Sequence, residues 1–189
     1  MRTALLLSGG MDSIAIAWWK HPDVAITIDY GQLPARAEIA ASTAVAKRLI
    51  IKHHVVTVDC KSLGSGDMAG LTANEHAPAS DWWPYRNQML LTFAAMKAIT
   101  IGVRTLLIGS VLSDGSHRDG TPAFVNAISA LLALQEGCMT VLAPANELSP
   151  TELIRLSGVP IPNWPGRTVA TSLTCHAATA VDATSTSKS

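Results

Sequence analysis

The sequence predicts a doubly wound α/β domain with a mainly parallel sheet of about five strands, and three observations carry that prediction. Short apolar runs alternate with segments of helical period, beginning at residue 3. Each early run ends in Gly, Ser or Asp, as strands do when they feed a loop and then a helix. The chain, 189 residues with 48% apolar and only 15% charged, has enough apolar material to cover both faces of such a sheet but not to build two large cores.

Residues 3–7 are the first buried strand, running into Ser8-Gly9-Gly10. A helix follows, with Asp12 or Ser13 as its cap, Ile14 to Trp19 as its apolar part and His21-Pro22 as its stop. Residues 24–29 form the second strand. Residues 34–49 are rich in Ala, Glu, Lys and Arg, and Ile39, Thr43, Ala46 and Ile50 recur at helical spacing. Residues 55–58, just after His53-His54, make the third strand. Residues 61–84 then turn to Gly, Ser, Asp, Asn and His around Trp82-Trp83, and an aperiodic excursion of that length is expected to be a lid or binding loop. Helical period resumes over 87–101, a fourth strand covers 105–108, and 109–122 is a second polar loop. Residues 123–136 read as a helix with Phe124, Ile128, Leu131 and Leu132 on one face and Gly137 as its stop. A last strand spans 139–142, and Ser149-Pro150 opens a short helix ending at Ser157-Gly158. Residues 1–176 are expected to form one domain. Residues 177–189 are a low-complexity tail expected to be disordered or held by a partner.

Fourteen basic and fourteen acidic residues cancel, which argues against a protein that holds nucleic acid by neutralising phosphates. No run approaches the roughly 18 apolar residues of a membrane span, and residues 3–7 are too short for a signal sequence, so the expected setting is cytoplasmic. Cys60, Cys138 and Cys175 contain no C-x-x-C pair and support no disulfide framework. Cys60 and Cys138 read as small buried residues.

Ser8-Gly9-Gly10-Met11-Asp12-Ser13 is the most informative stretch, because it leaves a strand and opens a helix. Two glycines let backbone N–H groups turn toward an anion, the serine hydroxyls add donors, and the helix N-terminus adds its positive end. The result is a pyrophosphate cradle that matches neither G-x-x-x-x-G-K-S/T nor G-x-G-x-x-G. Asp29, with Tyr30 and Gln32, lies at the carboxyl end of a strand, where open α/β sheets bind ligands; an aspartate there on its own would read as a solvated strand end. Arg36 and Glu38 are two residues apart and do not share a helix face. Arg86-Asn87 can reach a nucleotide or cap a helix. Asp114 and Asp119, in a loop with His117 and Arg118, suit Mg²⁺ shared with nucleotide phosphates, or are simply hydrated charges. Trp82-Trp83 can stack on a purine, seal a lid or anchor the loop in the core. His53-His54 has no partner at ligand spacing and reads as structural or solvent-facing.

S-G-G-x-D-S is the PP-loop motif of ATP pyrophosphatases, and further matches narrow the resemblance to the QueC, or 7-cyano-7-deazaguanine synthase, family. Asp29-Tyr30-Gly31-Gln32 resembles its D-Y-G-Q, followed by Arg36 and Glu38 as its R-x-E. Pro84-Tyr85-Arg86-Asn87 resembles P-G-R-N, Gly109-Ser110 with Asp114 and Asp119 resembles its acidic loop, and Leu173-Thr174-Cys175-His176 resembles its S/T-C-Y segment. The resemblance implies ATP and Mg²⁺ as cofactors, with Ser8, Gly9, Gly10, Asp12, Ser13, Asp29, Arg86, Asn87 and Gly109 toward the nucleotide. It implies Tyr30, Gln32, Arg36 and Glu38 toward the substrate, Asp12, Ser13, Asp114 and Asp119 in catalysis, and Asp114 and Asp119 on the metal. The implied reaction adenylates the carboxylate of 7-carboxy-7-deazaguanine and passes it to ammonia, giving the amide and then the nitrile, in a homodimer.

Three positions depart from the family pattern. No cysteine follows Cys175, so the family's four-cysteine zinc site is not expected. Pro150 stands where the family has a lysine facing the leaving pyrophosphate. Its D-C-R is Asp119-Gly120-Thr121 here. These departures leave two alternatives: a relative of the QueC-like enzymes of antiphage (CBASS) operons that transfers the acyl group to an amine of a partner protein, or a nucleotide-binding module with weak catalysis. A PP-loop enzyme acting on tRNA fits the neutral charge less well.

Overall fold

In the computed structural model, which describes residues 2–112 and 118–160, eleven elements follow one another. They are β1 (Thr3–Leu6), α1 (Met11–Lys20), β2 (Val24–Asp29), α2 (Ala35–Leu49), β3 (Lys52–Thr57), α3 (Gly66–Ala69), α4 (Arg86–Thr100), β4 (Thr105–Leu107), α5 (Pro122–Ala133), β5 (Thr140–Leu142) and α6 (Pro150–Ser157). Single 3-10 turns lie at Lys61–Leu63 and Arg118–Gly120. The strands form one sheet in the order β3-β2-β1-β4-β5, every pair parallel, as the sequence predicts. The chain builds outward from β1 to β3, then crosses to the other side of β1 to place β4. The direction of winding therefore reverses between β1 and β4, and the carboxyl ends of those two strands frame the crevice where such sheets take ligands.

Alternation along the strands decides which helices lie on which face. Ala4, Leu6, Val24, Ile26, Leu106 and Ile108 pack with Leu91, Ala94 and Ala98 of α4 and Val125, Ile128 and Leu132 of α5. Leu5, Leu7, Ala25 and Leu107 point the other way, against Ile14 to Ala17 of α1, Val45 of α2 and Leu153 of α6. The central strands are buried on both sides, which is why they read as unbroken apolar runs.

The ends and faces of the elements differ from the sequence reading in ways that have causes. Neither Asp12 nor Ser13 caps α1. The N-cap is Gly10, with no side-chain cap, because the Ser13 hydroxyl turns back to donate to the Gly10 carbonyl at 2.9 Å. The buried face of α2 is Ala41, Ser42, Val45 and Ala46; Thr43 is exposed and Ile50, the left-handed C-cap, is 94% exposed. Small side chains bring this helix close to the sheet. β3 begins earlier than expected, since β2 pairs with it along its whole length from Val24↔Lys52 to Asp29↔Thr57. α5 stops at Ala133, short of Gly137, and its buried residues are Val125, Ile128 and Leu132 rather than Phe124 and Leu131. Cys60 is buried as expected, but Cys138 is exposed, lying at φ 45° in the turn that enters β5. The excursion 61–84 holds itself together: Asp67 N donates to Ser80 O at 2.7 Å and Asn74 N to Ser65 Oγ at 2.9 Å. No helix among the described residues is long and apolar enough to cross a membrane.

A buried polar network ties three elements together under the end of β1. Thr27 Oγ1 donates to Leu7 O at 2.6 Å and Ser42 Oγ donates to the same carbonyl at 3.0 Å. His53 Nε2 lies 2.8 Å from Thr27 Oγ1. The Thr27 proton is spent on Leu7, so Nε2 carries the proton of that contact and Nδ1 accepts from Thr43 Oγ1 at 3.3 Å. Burial, and then the neighbouring His54, push the His53 pKa down and favour this neutral form. Thr27→Val removes the hub and leaves the His53 N–H without its acceptor. It is expected to cost about 1–2 kcal/mol in urea unfolding, and an unchanged midpoint would show that the network carries no stability.

Candidate active site

The loop after β1 is a preorganised anion cradle. Leu7 N donates to Ile26 O at 2.8 Å, extending the β1–β2 ladder by one residue beyond the strand. The chain then turns at Gly9, φ +76°, so close to α2 that a Cβ there would stand 2.6 Å from Glu38 O. Only glycine meets both demands. Gly10 N donates to Ser8 Oγ at 3.4 Å, and the Ser8 and Ser13 hydroxyls are 3.1 Å apart. Ser13 gives its proton to Gly10 O, so Ser8 supplies the proton between the two hydroxyls. The orientation of both is thereby set. The first turn of α1 has no side-chain cap, which directs its N–H groups and positive end at whatever occupies the loop. Across the crevice, Gly109 follows β4 with its Cα so near α1 that a Cβ would lie 3.0 Å from Ser13 N. Ser8, Gly9, Gly10, Asp12, Ser13 and Gly109 are thus brought to one place.

A second cluster sits at the end of β2. Asp29 Oδ1 accepts from Gly31 N at 3.1 Å. Gln32, although polar, is buried, because it spans the turn: its Oε1 accepts from Tyr30 N at 2.9 Å, and its Nε2 donates to Ile28 O at 3.3 Å and to Glu38 Oε2 at 2.8 Å. Burial raises the Glu38 pKa; the Gln32 hydrogen bond and the Arg86 charge oppose the rise, and Asp29 adds to it. Burial also holds the Tyr30 phenol far above its ordinary range, despite Arg86, so it is a neutral O–H. Arg86 is the cation that acts on both groups. Arg36 is exposed and, two residues from Glu38, does not share its helix face.

The polar loops are fastened to the second cluster through Trp83. Its ring is 2% exposed and meets Tyr30 edge to face, centroids 4.8 Å apart. Of the readings open to the tryptophan pair, Trp83 is the core anchor, while Trp82 is half-buried. Beyond it, Asn87 donates from its backbone N to Asp119 Oδ2 at 3.2 Å and from Nδ2 to Asp119 O at 2.9 Å. Ser110 Oγ donates to Gly120 O at 2.6 Å. Asn87 and Asp119 therefore engage each other, and the carboxylate sits on the N-terminus of α4. Asp114 lies outside the described residues, as do Cys175 and the tail. Among the described residues no three His, Cys, Asp or Glu side chains gather as a metal group. Mg²⁺ typically takes one or two carboxylates and completes its shell with phosphates and water, a need that the second oxygen of Asp119 fits.

Tyr85, between Trp83 and Asn87, has φ 54° and is 76% exposed. A left-handed backbone costs a non-glycine residue about 1–2 kcal/mol, and the P-G-R-N pattern has glycine at this place. At α6, Ser149 and Glu152 form a reciprocal capping box around Pro150. Hydrogen bonds from the Ser149 hydroxyl, then its N–H, hold the Glu152 pKa below its ordinary range, so this helix end carries an anion where the family pattern has a lysine. Sequence reasoning missed Thr27 and Ser42 as supports of the loop. The signal was a hydroxyl inside an otherwise apolar strand and another on the small-residue side of α2.

A family model described as Queuosine biosynthesis protein QueC matches residues 2–186. The chain is 31% identical over 179 residues to a 7-cyano-7-deazaguanine synthase of Desulforudis audaxviator, covering 82% of this chain and 80% of that protein. It is 29% identical over 155 residues to 7-cyano-7-deazaguanine synthase 1 of Desulfitobacterium hafniense, covering 76% and 70% respectively. A 7-cyano-7-deazaguanine synthase of Xanthomonas campestris pv. campestris is 33% identical over 172 residues, covering 82% of this chain and 75% of that protein.

Glu38 makes the site pH-sensitive in a direction that can be worked out. Its folded pKa lies above the unfolded value, near 4.3, so its contribution to stability is full below that value and is lost as pH rises through the folded pKa. Glu38→Gln keeps an oxygen for Gln32 and removes the charge. The stability of this variant relative to the parent should grow from about pH 4 to pH 7 in urea titrations, whereas a constant difference would contradict a buried carboxylate. Gly9→Ala should cost about 2 kcal/mol or more by the same measurement, since both its φ and its contact with Glu38 O resist a side chain.

Proposed function

The chain belongs to the QueC family, and on that footing we propose that it is an ATP-dependent carbon–nitrogen ligase that activates the carboxylate of 7-carboxy-7-deazaguanine by adenylation and passes it to ammonia. The observation that carries this reading is the oriented Ser8–Ser13 hydroxyl pair over an uncapped α1 N-terminus, at the point where the winding of the sheet reverses.

The chemistry explains why such a cradle is needed. A carboxylate is inert to amines, whereas a mixed anhydride with AMP has a good leaving group. Attack of the carboxylate oxygen on the α-phosphorus of ATP forms that bond and expels pyrophosphate. The backbone N–H groups of the loop would hold the charge that develops on the pyrophosphate, while the Ser8 and Ser13 hydroxyls, whose protons are engaged within the loop, fix its shape before the nucleotide arrives. Mg²⁺ accompanying ATP would neutralise phosphate charge, with Asp119 and Asp114 as its protein carboxylates. Tyr30 and Glu38 would border the heterocycle, with Gln32 holding both in place, and Arg86 would meet its carboxylate or a phosphate. Ammonia then displaces AMP to give the amide, and a second activation, on the amide oxygen, removes that oxygen to give the nitrile.

Pro150, in place of the family's lysine, favours a slower first step than that lysine would support. Pyrophosphate release and product mass with ATP, Mg²⁺ and 7-carboxy-7-deazaguanine, with and without ammonia, test the reading. Ammonia-dependent amide or nitrile is expected. Asp12→Ala, which removes the loop carboxylate that the family resemblance puts in catalysis, should lower pyrophosphate release by about 100-fold or more, the scale on which loss of one active-site group is felt. Release that stalls at the acyl-adenylate despite ammonia would shift the acceptor to an amine on a partner protein. ATP binding with no release would reduce the chain to a nucleotide-binding module.

A further inference from the structure

We propose that the exposed ring of Tyr85 is a stacking surface for the planar base of a ligand held at the carboxyl edge of the sheet; this rests on the adenylation reading and adds to it the residue that grips a heterocycle. Among the described residues, four other than glycine have positive φ: His21, Ile50, Tyr85 and Cys138. Three are explained by chain reversal. His21 and Ile50 close α1 and α2 as left-handed C-caps, their N–H groups bonding back into the helix, a common way to end a helix. Cys138 lies in a turn, its N–H donating to Gln135 O at 2.8 Å.

Tyr85 is different because it precedes a helix. A residue at that place ordinarily has extended backbone, as Gly10, Thr121 and Ser149 do before α1, α5 and α6. The left-handed turn at Tyr85 is imposed from both sides. Trp83 is locked in the core against Tyr30. Asn87 is bound twice to Asp119, and Arg86 N donates back to Trp83 O at 3.2 Å. Glycine is the residue that such a turn accepts without strain. Tyrosine meets the strain and, at 76% exposure, recovers little of it by burial when the chain folds. The compensation is therefore sought outside the folded chain itself, and strain retained at a site rim is a recognised sign of function.

The surroundings specify the ligand. Trp83 touches Tyr30, and the charge of Arg86 acts on Tyr30 and Glu38, so residue 85 stands at the rim of the crevice already described. An exposed aromatic ring on the residue that precedes Arg86 suits a flat, electron-rich heterocycle that carries an anionic group. Adenine of ATP and the deazapurine substrate share that chemistry.

Calorimetric titration of the full chain separates them. The probes are α,β-methylene-ATP, 7-carboxy-7-deazaguanine and pyrophosphate, each against the parent, Tyr85→Phe and Tyr85→Gly. Tyr85→Gly is expected to weaken one base-bearing probe about tenfold, the scale of a lost base–aromatic stack, without lowering the thermal midpoint. Pyrophosphate binding should stay within about twofold, because that probe has no base, and Tyr85→Phe should bind as the parent does. The probe that weakens names the base. Parent-like affinity of Tyr85→Gly for both base-bearing probes would overturn the stacking role and leave adenylation standing. Failure of the parent to bind either would remove both.

Discussion

The carbonyl of Leu7 is the point on which the rest of the edge depends. It accepts hydrogen bonds from Thr27 on β2 and Ser42 on α2, so the last residue before the loop is tied at once to a neighbouring strand and a covering helix. A buried carbonyl must be satisfied, and here satisfying it fixes how α2 lies over β1. That placement brings Glu38 O against Gly9, and the glycine loop takes its shape from a helix that is not adjacent to it in sequence. Small residues along Ala41, Ser42, Val45 and Ala46 make the close approach sterically feasible.

From Glu38 the contacts run round the crevice and return. Its carboxylate takes Gln32, Gln32 takes the backbone of Tyr30, and Tyr30 meets Trp83. Trp83 sets the start of α4, where Asn87 holds Asp119. Gly120, the next residue, receives the Ser110 hydroxyl, and Gly109 beside it lies against Ser13. Every polar loop at the edge is thus held by at least one neighbour from another element. This is the geometry that the proposed adenylation would demand, since donors must stand in place before charge develops if they are to lower a barrier.

The sequence disclosed the parts of this ring but not its closure. Strands β1, β2 and β4 were legible because burial on both faces forces continuous apolar runs, and the Ser8–Ser13 hexapeptide because its glycines have few other uses between a strand and a helix. The face of α2 was misjudged: Ile39 and Ile50 drew the reading toward large residues, while close packing selects small ones. On α5 Ile128 and Leu132 were placed correctly, but the apolar surface is so wide that Phe124 and Leu131 could not be told from Val125. Trp83 read three ways because a tryptophan beside a proline says nothing about whether its ring points inward. Gln32 and Asp119 could be placed near the site but not paired, since the partners Tyr30 N and Asn87 N are backbone atoms that any residue supplies.

Local departures from the most stable choice gather at this one edge. A carboxylate is kept half-buried at Glu38, a left-handed tyrosine is kept at position 85, and α1 is left without a side-chain cap. Other features of the chain follow local rules: α5 has Thr121 as its N-cap and α6 a complete capping box, and the positive φ values at His21 and Ile50 end helices as such residues do. The contrast matters because an unoptimised chain would scatter its irregularities, whereas consistency broken in one place points to a demand other than folding. An uncapped N-terminus is costly only until an anion fills it. A half-buried carboxylate is tolerable where an arginine and a heterocycle can share its field, and a strained tyrosine is tolerable where a ligand meets its ring. Under the proposed function the three costs would have one remedy in common, a nucleotide and its acyl substrate lying along the carboxyl ends of β1, β2 and β4.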